Sequence, residues 1–244
     1  MADNLPQSID TNSTRSLIGK VVAVTGASGA LGRGLVEELS IQGANVIAIT
    51  TNSSTIFPVG VTGLLWQLGA ESELLPHLQA VDILIVNHGV NVYGDRSFTA
   101  INKSFEVNTF STIRIAELFL STVTSEGDRE SKELWINTSE AEVNPAFSPL
   151  YELSKRTLGD LIILLRFDSP CTIRKLVLGP FKSQLNPYGV MSAPWVARAI
   201  IFLAQRGFRN IIITINPLTY LLFPIKELAQ YWYFKLLTKS ERIV

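Results

Sequence analysis

Short apolar runs alternate with helix-periodic segments along most of the chain. Val21–Thr25 is a β-branched run typical of a buried parallel strand, and Leu35, Val36 and Leu39 then share one face of a helix. This alternation continues to Ile215 without a domain linker or an internal repeat. It predicts one α/β domain, a Rossmann-type doubly wound parallel β-sheet flanked by helices, with an aromatic-rich helix at the C-terminal end.

The remaining elements follow from the same pattern. Further strands are predicted at 45–49, 61–66, 82–86, 134–137, 172–178 and 211–215. Helices are predicted at 71–78, 102–123 and 193–206, and from Tyr151 through Leu165. A charged loop is expected at 125–132, and the loop at 181–192 is the segment that could fold over a substrate.

The two ends of the chain depart from this alternation. Residues 1–16 are polar and lack the apolar core of a signal peptide, so we predict a flexible tail there. Residues 17–216 are predicted to form the dinucleotide-binding domain with the catalytic site, and residues 217–244 a hydrophobic helical extension whose helix covers 225–237.

Composition narrows the possible functions. The 21 Lys and Arg residues balance 21 Asp and Glu residues without forming a basic stripe, which predicts no nucleic-acid partner. The single cysteine, Cys171, cannot form an internal disulfide, offers no cysteine metal site and is interpreted as a small buried hydrophobe. We therefore predict no metal site and a cytoplasmic location.

A glycine-rich turn follows the first strand and opens the first helix. Glycines there let the backbone approach a pyrophosphate, and the free amides at the start of a helix attract its charge. A tight turn without a ligand needs the same glycines, but the position between strand and helix favours the nucleotide interpretation. The candidate cofactor-binding residues of this turn are Gly26, Ser28, Gly29, Leu31 and Gly32.

The second strand ends in Thr50, Thr51, Asn52 and Ser53. Dinucleotide folds that prefer NAD carry an acidic residue here, which binds the ribose hydroxyl and repels the 2′-phosphate of NADP. No acid is present, and hydroxyl and amide donors could hold a phosphate with help from Arg33. We predict a preference for NADP over NAD; the alternative is a polar turn without a ligand.

Tyr151 and Lys155 lie one helical turn apart on a predicted helix. A free phenol has a pKa of about 10, and a neighbouring cation favours its ionised form. Several strands also end in polar residues at the edge of the sheet where parallel strands bring their carboxyl ends together. His88 is expected to contact the backbone locally. The polar strand ends are Asn87-His88-Gly89, Thr138-Ser139 and Gly179-Pro180.

Taken in order, these motifs resemble the short-chain dehydrogenase/reductase family from Leu17 to Ile215. The similarity rests on Thr25-Gly26 with Gly29 and Gly32, Asn87-His88-Gly89, Asn108, Ser139, and Tyr151 with Lys155. The resemblance implies that Tyr151 is the general acid/base and that Lys155 lowers its pKa and holds the nicotinamide ribose. It further implies that Ser139 orients the substrate oxygen and that Asn108 supports a proton-relay water.

The chain departs from the family pattern at four places. Ala30 replaces a glycine, and Gly29 makes the turn read as in the longer epimerase-like branch, although the length of this chain argues against that branch. Gly179-Pro180 reverses the familiar order. Ser139 lies twelve residues before Tyr151, one fewer than in many relatives, so Thr138 is the alternative hydroxyl. Glu140 and Glu142 place acids near the site without an assigned partner.

The function predicted from these residues is an NAD(P)-dependent oxidoreductase acting on a small-molecule carbonyl or secondary alcohol. One alternative is an NADP(H)-binding sensor or interaction module without turnover, and another is an epimerase acting on a nucleotide sugar. We expect a homo-oligomer whose final helix packs on its own domain or on a sister subunit. The alternative for that helix is peripheral membrane contact, which would suit a hydrophobic substrate.

Overall fold

The computed structural model describes residues 15–238. The predicted tail up to residue 14 and the last six residues, 239–244, lie outside the described part. Seven strands form one sheet. They are β1 Val21–Thr25, β2 Asn45–Thr50, β3 Thr62–Leu65, β4 Ile83–Val86, β5 Glu133–Asn137, β6 Thr172–Leu178 and β7 Asn210–Ile213.

All strand pairs of the sheet are parallel, and the spatial order is β3-β2-β1-β4-β5-β6-β7. The chain builds one half outwards from β1 and then returns to place β4 on the other side of β1, where Val22 pairs with Ile83. This reversal creates a crevice at the carboxyl ends of β1 and β4, the usual ligand position in such sheets. The predicted doubly wound parallel sheet in a single α/β domain is confirmed.

Helices cover both faces of the sheet. They are α1 Ala30–Ile41, α2 Leu75–Leu78, α3 Phe98–Phe105, α4 Ser111–Leu120, α5 Glu126–Ser131, α6 Pro149–Leu165, α7 Ala193–Gln205 and α8 Pro217–Leu237. Short 3₁₀ segments lie at Glu71–Leu74 and Glu140–Glu142, and a π-helical turn at Glu106–Phe110 joins α3 to α4.

Two separate apolar clusters hold these layers together. On one face, Leu35 of α1 and Ile200 of α7 pack against the sheet, and on the other face Phe119 of α4 and Ile162 of α6 do so. The strands read as continuous apolar runs because residues of both faces are buried. Cys171 is buried at the edge of the second cluster, as expected.

Two local predictions are wrong. The segment 125–132 contains helix α5 because Ser125 caps it and the Asp128 carboxylate accepts a bond from the Ser125 amide, a reciprocal capping box. The final helix begins at Pro217, not Ile225, and continues through Pro224. It does so because Thr219 and Phe223 are buried before the proline and the next turn is held by ion pairs with the domain.

Candidate active site

The carboxyl edge of the sheet brings the predicted site residues together. Parallel pairing aligns the ends of β1, β2, β4, β5 and β6, so the turns that follow these strands all open on one side. Helix α6 passes beside the end of β5, and Lys155 Nζ donates a hydrogen bond to the Asn137 carbonyl oxygen at 2.9 Å. The catalytic and cofactor candidates therefore lie at one edge.

The glycine-rich turn is shaped by close backbone contact. Gly26 has a φ of +63°, and a β-carbon there would lie 2.8 Å from the His88 Cα. A β-carbon on Gly32 would lie 2.2 Å from the Gly26 carbonyl oxygen. Both positions thus require glycine for the fold itself.

The start of helix α1 is suited to an anion. Gly29 is its N-cap, no side chain caps the helix, and its first turn contains no acidic residue. The first amides of a helix have no partner within it and carry partial positive charge. The residues present therefore fit the pyrophosphate of a dinucleotide, with Ser28 and buried Leu31 in the same turn.

The end of β2 is connected to this turn by hydrogen bonds. Thr50 Oγ1 donates to Ser28 Oγ at 3.0 Å and accepts from the Asn52 amide at 3.0 Å. Arg33 Nε donates to the Ser28 carbonyl oxygen at 3.0 Å, which holds its guanidinium near the same turn. Thr51 and Asn52 are exposed.

Thr25, the last residue of β1, organises the segment after β4. Its Oγ1 accepts from the amides of Asn87 (2.9 Å) and His88 (3.3 Å) and lies 2.9 Å from His88 Nδ1. Because the hydroxyl already accepts two bonds, its own proton goes to Nδ1, which makes the imidazole neutral. Burial, with a smaller contribution from the Lys155 charge, lowers the His88 pKa from 6.5 to about 4. His88 is thus held mainly by the Thr25 hydroxyl of a neighbouring strand, a side-chain contact that the sequence did not predict.

Tyr151 and Lys155 lie together on α6. Lys155 is 3 % exposed, and its Nζ is 6.0 Å from the centre of the Tyr151 ring. Burial lowers the Lys155 pKa from 10.5 to about 8, against the attraction of Glu142. The ammonium is therefore charged at neutral pH but can lose its proton more easily than an exposed lysine.

The hydroxyl beside Tyr151 belongs to Ser139. Burial raises the Tyr151 pKa above 10, and a hydrogen bond with Ser139 opposes that rise. Thr138, the alternative, donates its hydroxyl to the Leu176 carbonyl oxygen at 3.2 Å. The sequence suggested a lowered phenol pKa, whereas in this structure burial has the larger effect and raises it.

Asn108 lies in the π-helical turn and is fully buried. Its side chain accepts from the Val90 amide (2.7 Å) and donates to the Val90 carbonyl oxygen (2.9 Å). It also donates to Ser154 Oγ at 3.0 Å, on the helix that carries Tyr151. Since its side chain is fully engaged, Asn108 positions Val90 and α6, and the π turn is the feature that sets its backbone apart from an ordinary helix.

Gly179 and Pro180 close the far side of the crevice after β6. A β-carbon on Gly179 would lie 2.3 Å from Thr214 Oγ1, so the chain needs glycine there. Thr214 in turn donates to Glu140. Glycine at position 179 thus lets the chain after β6 lie directly against Thr214, the residue after β7.

Sequence reasoning missed Asn137. Its carbonyl oxygen accepts from Lys155, and its Nδ2 donates to Asn87 Oδ1 at 2.9 Å. It therefore connects Lys155 to the segment after β4. The available signal was its position as the last residue of a strand at the ligand edge.

Glu140 and Glu142 now have partners. Glu140 accepts hydrogen bonds from Thr214 and Thr219, and Glu142 is buried and paired with Lys175 and Lys226. Both acids therefore belong to contacts with β6, β7 and α8. Within residues 15–238, no group of three or more His, Cys, Asp and Glu residues could hold a metal ion.

The fold and this grouping define a Rossmann-type protein with a glycine-rich turn, a partly buried phenol, and a buried ammonium and hydroxyl at one edge. No protein-family model matches the chain. The chain is 54 % identical over 231 residues to a monoglucosyldiacylglycerol epimerase of Synechocystis sp., covering 92 % of this chain and 56 % of that protein. It is 24 % identical over 173 residues to a dehydrogenase/reductase SDR family protein 7-like of Anopheles gambiae, covering 61 % and 54 %. The family prediction is confirmed: the chain belongs to the short-chain dehydrogenase/reductase family.

Solved structures with low sequence identity share the fold. A short-chain dehydrogenase from Burkholderia cenocepacia in complex with NADP has a TM-score of 0.73 at 18 % identity, covering 92 % of this chain and all of that one. An NADPH-dependent 3-quinuclidinone reductase from Rhodotorula rubra has a TM-score of 0.70 at 20 % identity, covering 88 % and 96 %. The chain spans little more than half the length of the two curated relatives.

Proposed function

We propose that the protein is an NAD(P)-dependent oxidoreductase that acts on a secondary alcohol or carbonyl carbon, with Tyr151 as general acid/base. The observation that carries this proposal is the meeting of Tyr151, Lys155 and Ser139 at the edge onto which the uncapped turn of α1 opens. Such a reaction needs a proton-transfer group beside a site that binds the pyrophosphate of the nicotinamide cofactor.

Each residue of the group has a chemical task. The bound nicotinamide would supply the hydride acceptor or donor. Tyr151 exchanges a proton with the substrate oxygen, and the Ser139 hydroxyl donates a hydrogen bond to that same oxygen. Lys155, charged below a pH of about 8, stabilises the phenolate form of Tyr151 and can bind ribose hydroxyls.

NADP is the favoured cofactor. The end of β2 offers Thr51 and Asn52 without an acid, and the Arg33 guanidinium is tied to the Ser28 backbone beside it. A carboxylate here would repel a 2′-phosphate, whereas these donors and the cation can bind one. The NADP complex of the Burkholderia dehydrogenase and the NADPH dependence of the Rhodotorula reductase support this choice.

Epimerisation is the second candidate, favoured by the 54 % identity to the Synechocystis epimerase. Loss of hydride from carbon and of a proton from oxygen converts a secondary alcohol to a ketone. Return of hydride to the opposite face, and of the proton to oxygen, gives the epimer without net oxidation. Tyr151 would take the proton in the first step and give it back in the second. The substrate class would then be a neutral glycosyl lipid.

Replacement of Tyr151 by Phe tests the shared chemistry. Turnover should fall about 10²–10⁴-fold because proton transfer is lost, while NADPH binding, followed by cofactor fluorescence, stays within about twofold. Tyr233→Phe, which changes an exposed phenol on α8 in the same way, is the matched control and should keep full activity. If Tyr151→Phe retained wild-type turnover, the assignment of the general acid/base would be wrong.

The cofactor balance separates the candidates. A reductase consumes NADPH in step with product, whereas an epimerase forms product from monoglucosyldiacylglycerol with no net change in the cofactor. Tight NADPH binding with neither activity would instead support the sensor without turnover. Epimerisation of a nucleotide sugar, with no activity on the glycolipid, would instead favour the nucleotide-sugar epimerase considered from the sequence.

A further inference from the structure

Helix α8 directs a charged side towards the domain and an apolar side towards solvent, which is the opposite of most surface helices. A surface helix of a globular protein turns its apolar side inwards. In α8 two of the three charged residues are turned inwards, since the side chains of Lys226 and Glu227 are 19 % and 12 % exposed, and only Lys235 near the end of the helix is exposed. The exposed side chains are large and apolar, namely Leu218, Leu221, Leu222, Ile225, Leu228, Trp232, Tyr233, Leu236 and Leu237.

The inward charges are held by buried partners. Lys226 Nζ lies 2.9 Å from Glu142 Oε2 and 2.6 Å from Asp160 Oδ1. Glu227 lies 2.6 Å from Lys175 Nζ and 2.9 Å from Arg166 Nη1. These ion pairs fix the rotation of the helix about its axis, so the apolar face cannot turn towards the domain.

The outward face is broad. At 3.6 residues per turn, the exposed apolar positions of Pro217–Leu237 cover roughly half of the helix circumference over about 30 Å. A seam for one partner helix is narrower, with apolar residues at only two positions in seven. The width of this face therefore favours a flat apolar surface over a second helix.

The apolar face begins beside the catalytic edge. Thr219, near the start of α8, accepts from Asn144 Nδ2 (2.8 Å) and donates to Glu140, the residue after Ser139. Further along the same loop, Phe147 is 97 % exposed and has a φ of 55°. A bulky residue with positive φ is strained, and Phe147 combines this backbone with an apolar ring that is exposed to solvent.

The substrate loop adds to this surface. Tyr188 is 92 % exposed on the segment after β6. That segment is tied to the loop of Phe147 through Tyr93, whose hydroxyl donates to the Gln184 carbonyl oxygen and whose own carbonyl oxygen accepts from Ser148. Phe147 and Tyr188 are thus exposed on two connected loops at the carboxyl edge of the sheet.

We propose that the outward face of α8, together with Phe147 and Tyr188, docks on a lipid bilayer surface, so that the mouth of the catalytic site meets the lipid headgroups. The outward face offers almost no polar groups for a protein partner to pair with, whereas a typical protein interface contains about ten hydrogen bonds. Trp232 and Tyr233 suit the headgroup boundary, and Lys235, 5.3 Å from the Trp232 ring, can reach the headgroups.

Apolar insertion would drive this docking. The chain has no net charge, with 21 cationic and 21 anionic side chains, so attraction to anionic lipids contributes little. Binding should therefore need no anionic lipid and should persist at high salt. Docking in this orientation is independent of the reaction at Tyr151.

Flotation of the protein with phosphatidylcholine vesicles is the experiment. The wild type should float with the vesicles at low and high salt, and the triple variant Leu221→Gln/Leu228→Gln/Trp232→Gln should bind more than tenfold more weakly. All three side chains are exposed, so folding should be kept. A matched triple variant of exposed apolar residues elsewhere, Ile41→Gln/Ile56→Gln/Phe202→Gln, should float like the wild type.

Three results would overturn the proposal. They are the absence of flotation of the wild type, equal flotation of both triple variants, and flotation that needs phosphatidylglycerol and is abolished by salt. Light scattering adds a check: a wild-type dimer that the α8 variant dissociates, without vesicle binding, would assign the face to a second copy. Turnover of a water-soluble alcohol should be equal in wild type and α8 variant, which separates this test from that of the reaction.

Discussion

Burial acts in opposite directions on the ionisable groups of the site. It raises the pKa of Tyr151 and lowers those of Lys155, to about 8, and His88, to about 4. For Lys155 the unfolded chain, with a pKa near 10.5, binds more protons than the folded one between pH 8 and 10.5, so this burial cost falls as the pH rises through that window. The buried, charged Lys155 at neutral pH thus lowers the stability of the fold, as is common for residues at functional sites.

His88 gives a pH-dependent stability that can be measured. Its folded pKa of about 4 lies below the ordinary value of 6.5, so the unfolded chain binds the extra proton between these values. The free energy of unfolding therefore has its full value above pH 6.5. It falls by about 3 kcal/mol in all as the pH drops towards 4. Urea unfolding at several pH values should show this slope in the wild type and a much smaller slope in His88→Ala.

His77→Ala is the control for that experiment because His77 is exposed on α2. It should leave the pH dependence of the free energy of unfolding unchanged. The same slope in His88→Ala as in the wild type would contradict the assignment of a buried neutral imidazole at position 88.

Helix α8 is the element whose contacts differ most from an ordinary surface helix. Lys175, on β6, is fully buried, and it pairs with Glu142 beneath α6 and with Glu227 of α8. Buried ion pairs contribute little net stability when complete, because both charges lose their hydration. They are costly when one partner is missing, and this makes the network a determinant of where α8 lies.

Glu227→Gln should therefore destabilise the protein by about 3–5 kcal/mol. The change leaves Lys175 and Arg166 without the carboxylate that both now contact, while Gln keeps the side-chain shape. Chemical unfolding measures the difference. Glu126→Gln, which removes the exposed partner of Arg129 by the same substitution, should cost no more than about 0.5 kcal/mol; equal losses in the two variants would show that the network is solvated.

At the scale of the molecule, the features of the candidate site lie at one end of the strands, the carboxyl edge of the sheet. The carboxyl edge has the turns of β1, β2 and β4 and the start of α8. No helix within residues 15–238 is long and apolar enough to cross a membrane. The chain reversal between β1 and β4 places the glycine-rich turn at the same carboxyl edge as Tyr151 and Lys155, so the two tasks of the proposed function would share one crevice.

Cofactor binding should stabilise the whole domain. A ligand at about one hundred times its dissociation constant adds about 2.7 kcal/mol, and NADP should raise the melting temperature more than NAD at equal concentration. Arg33→Ala should remove most of this difference, with about a tenfold loss of NADP affinity and little change for NAD. Arg206→Ala, at the C-cap of α7, is the control and should preserve the preference. A preference unchanged in Arg33→Ala would contradict the role of this cation.

The sequence predicted the sheet because strands buried on both faces are continuous apolar runs and helices show one apolar side. Helix α5 escaped prediction because it depends on a reciprocal contact between Ser125 and Asp128, with no apolar face to reveal it. The start of α8 was misplaced because Pro224 reads as a boundary, whereas long-range ion pairs keep the helix going.

The candidate site was predictable in part for the same reason. Tyr151 and Lys155 meet because helical spacing alone puts them on one face. For the neighbouring hydroxyl the sequence favoured Ser139 and left Thr138 open, since adjacent residues after a strand point in different directions; in the structure Thr138 donates to the Leu176 carbonyl oxygen. The π turn at Asn108 leaves no signature in the sequence.

Gly159 has a consequence for how relatives of this protein can diverge. A β-carbon there would lie 2.0 Å from Glu142 Oε2, so the mid-helix glycine is the space into which that buried carboxylate fits. Alanine at position 159 would stabilise helix α6 by about 1 kcal/mol, but it fits only in a relative in which Glu142 has already been replaced. We expect positions 142, 159, 175 and 227 to be inherited as a set, and lineages that abandon this docking of α8 to replace all four.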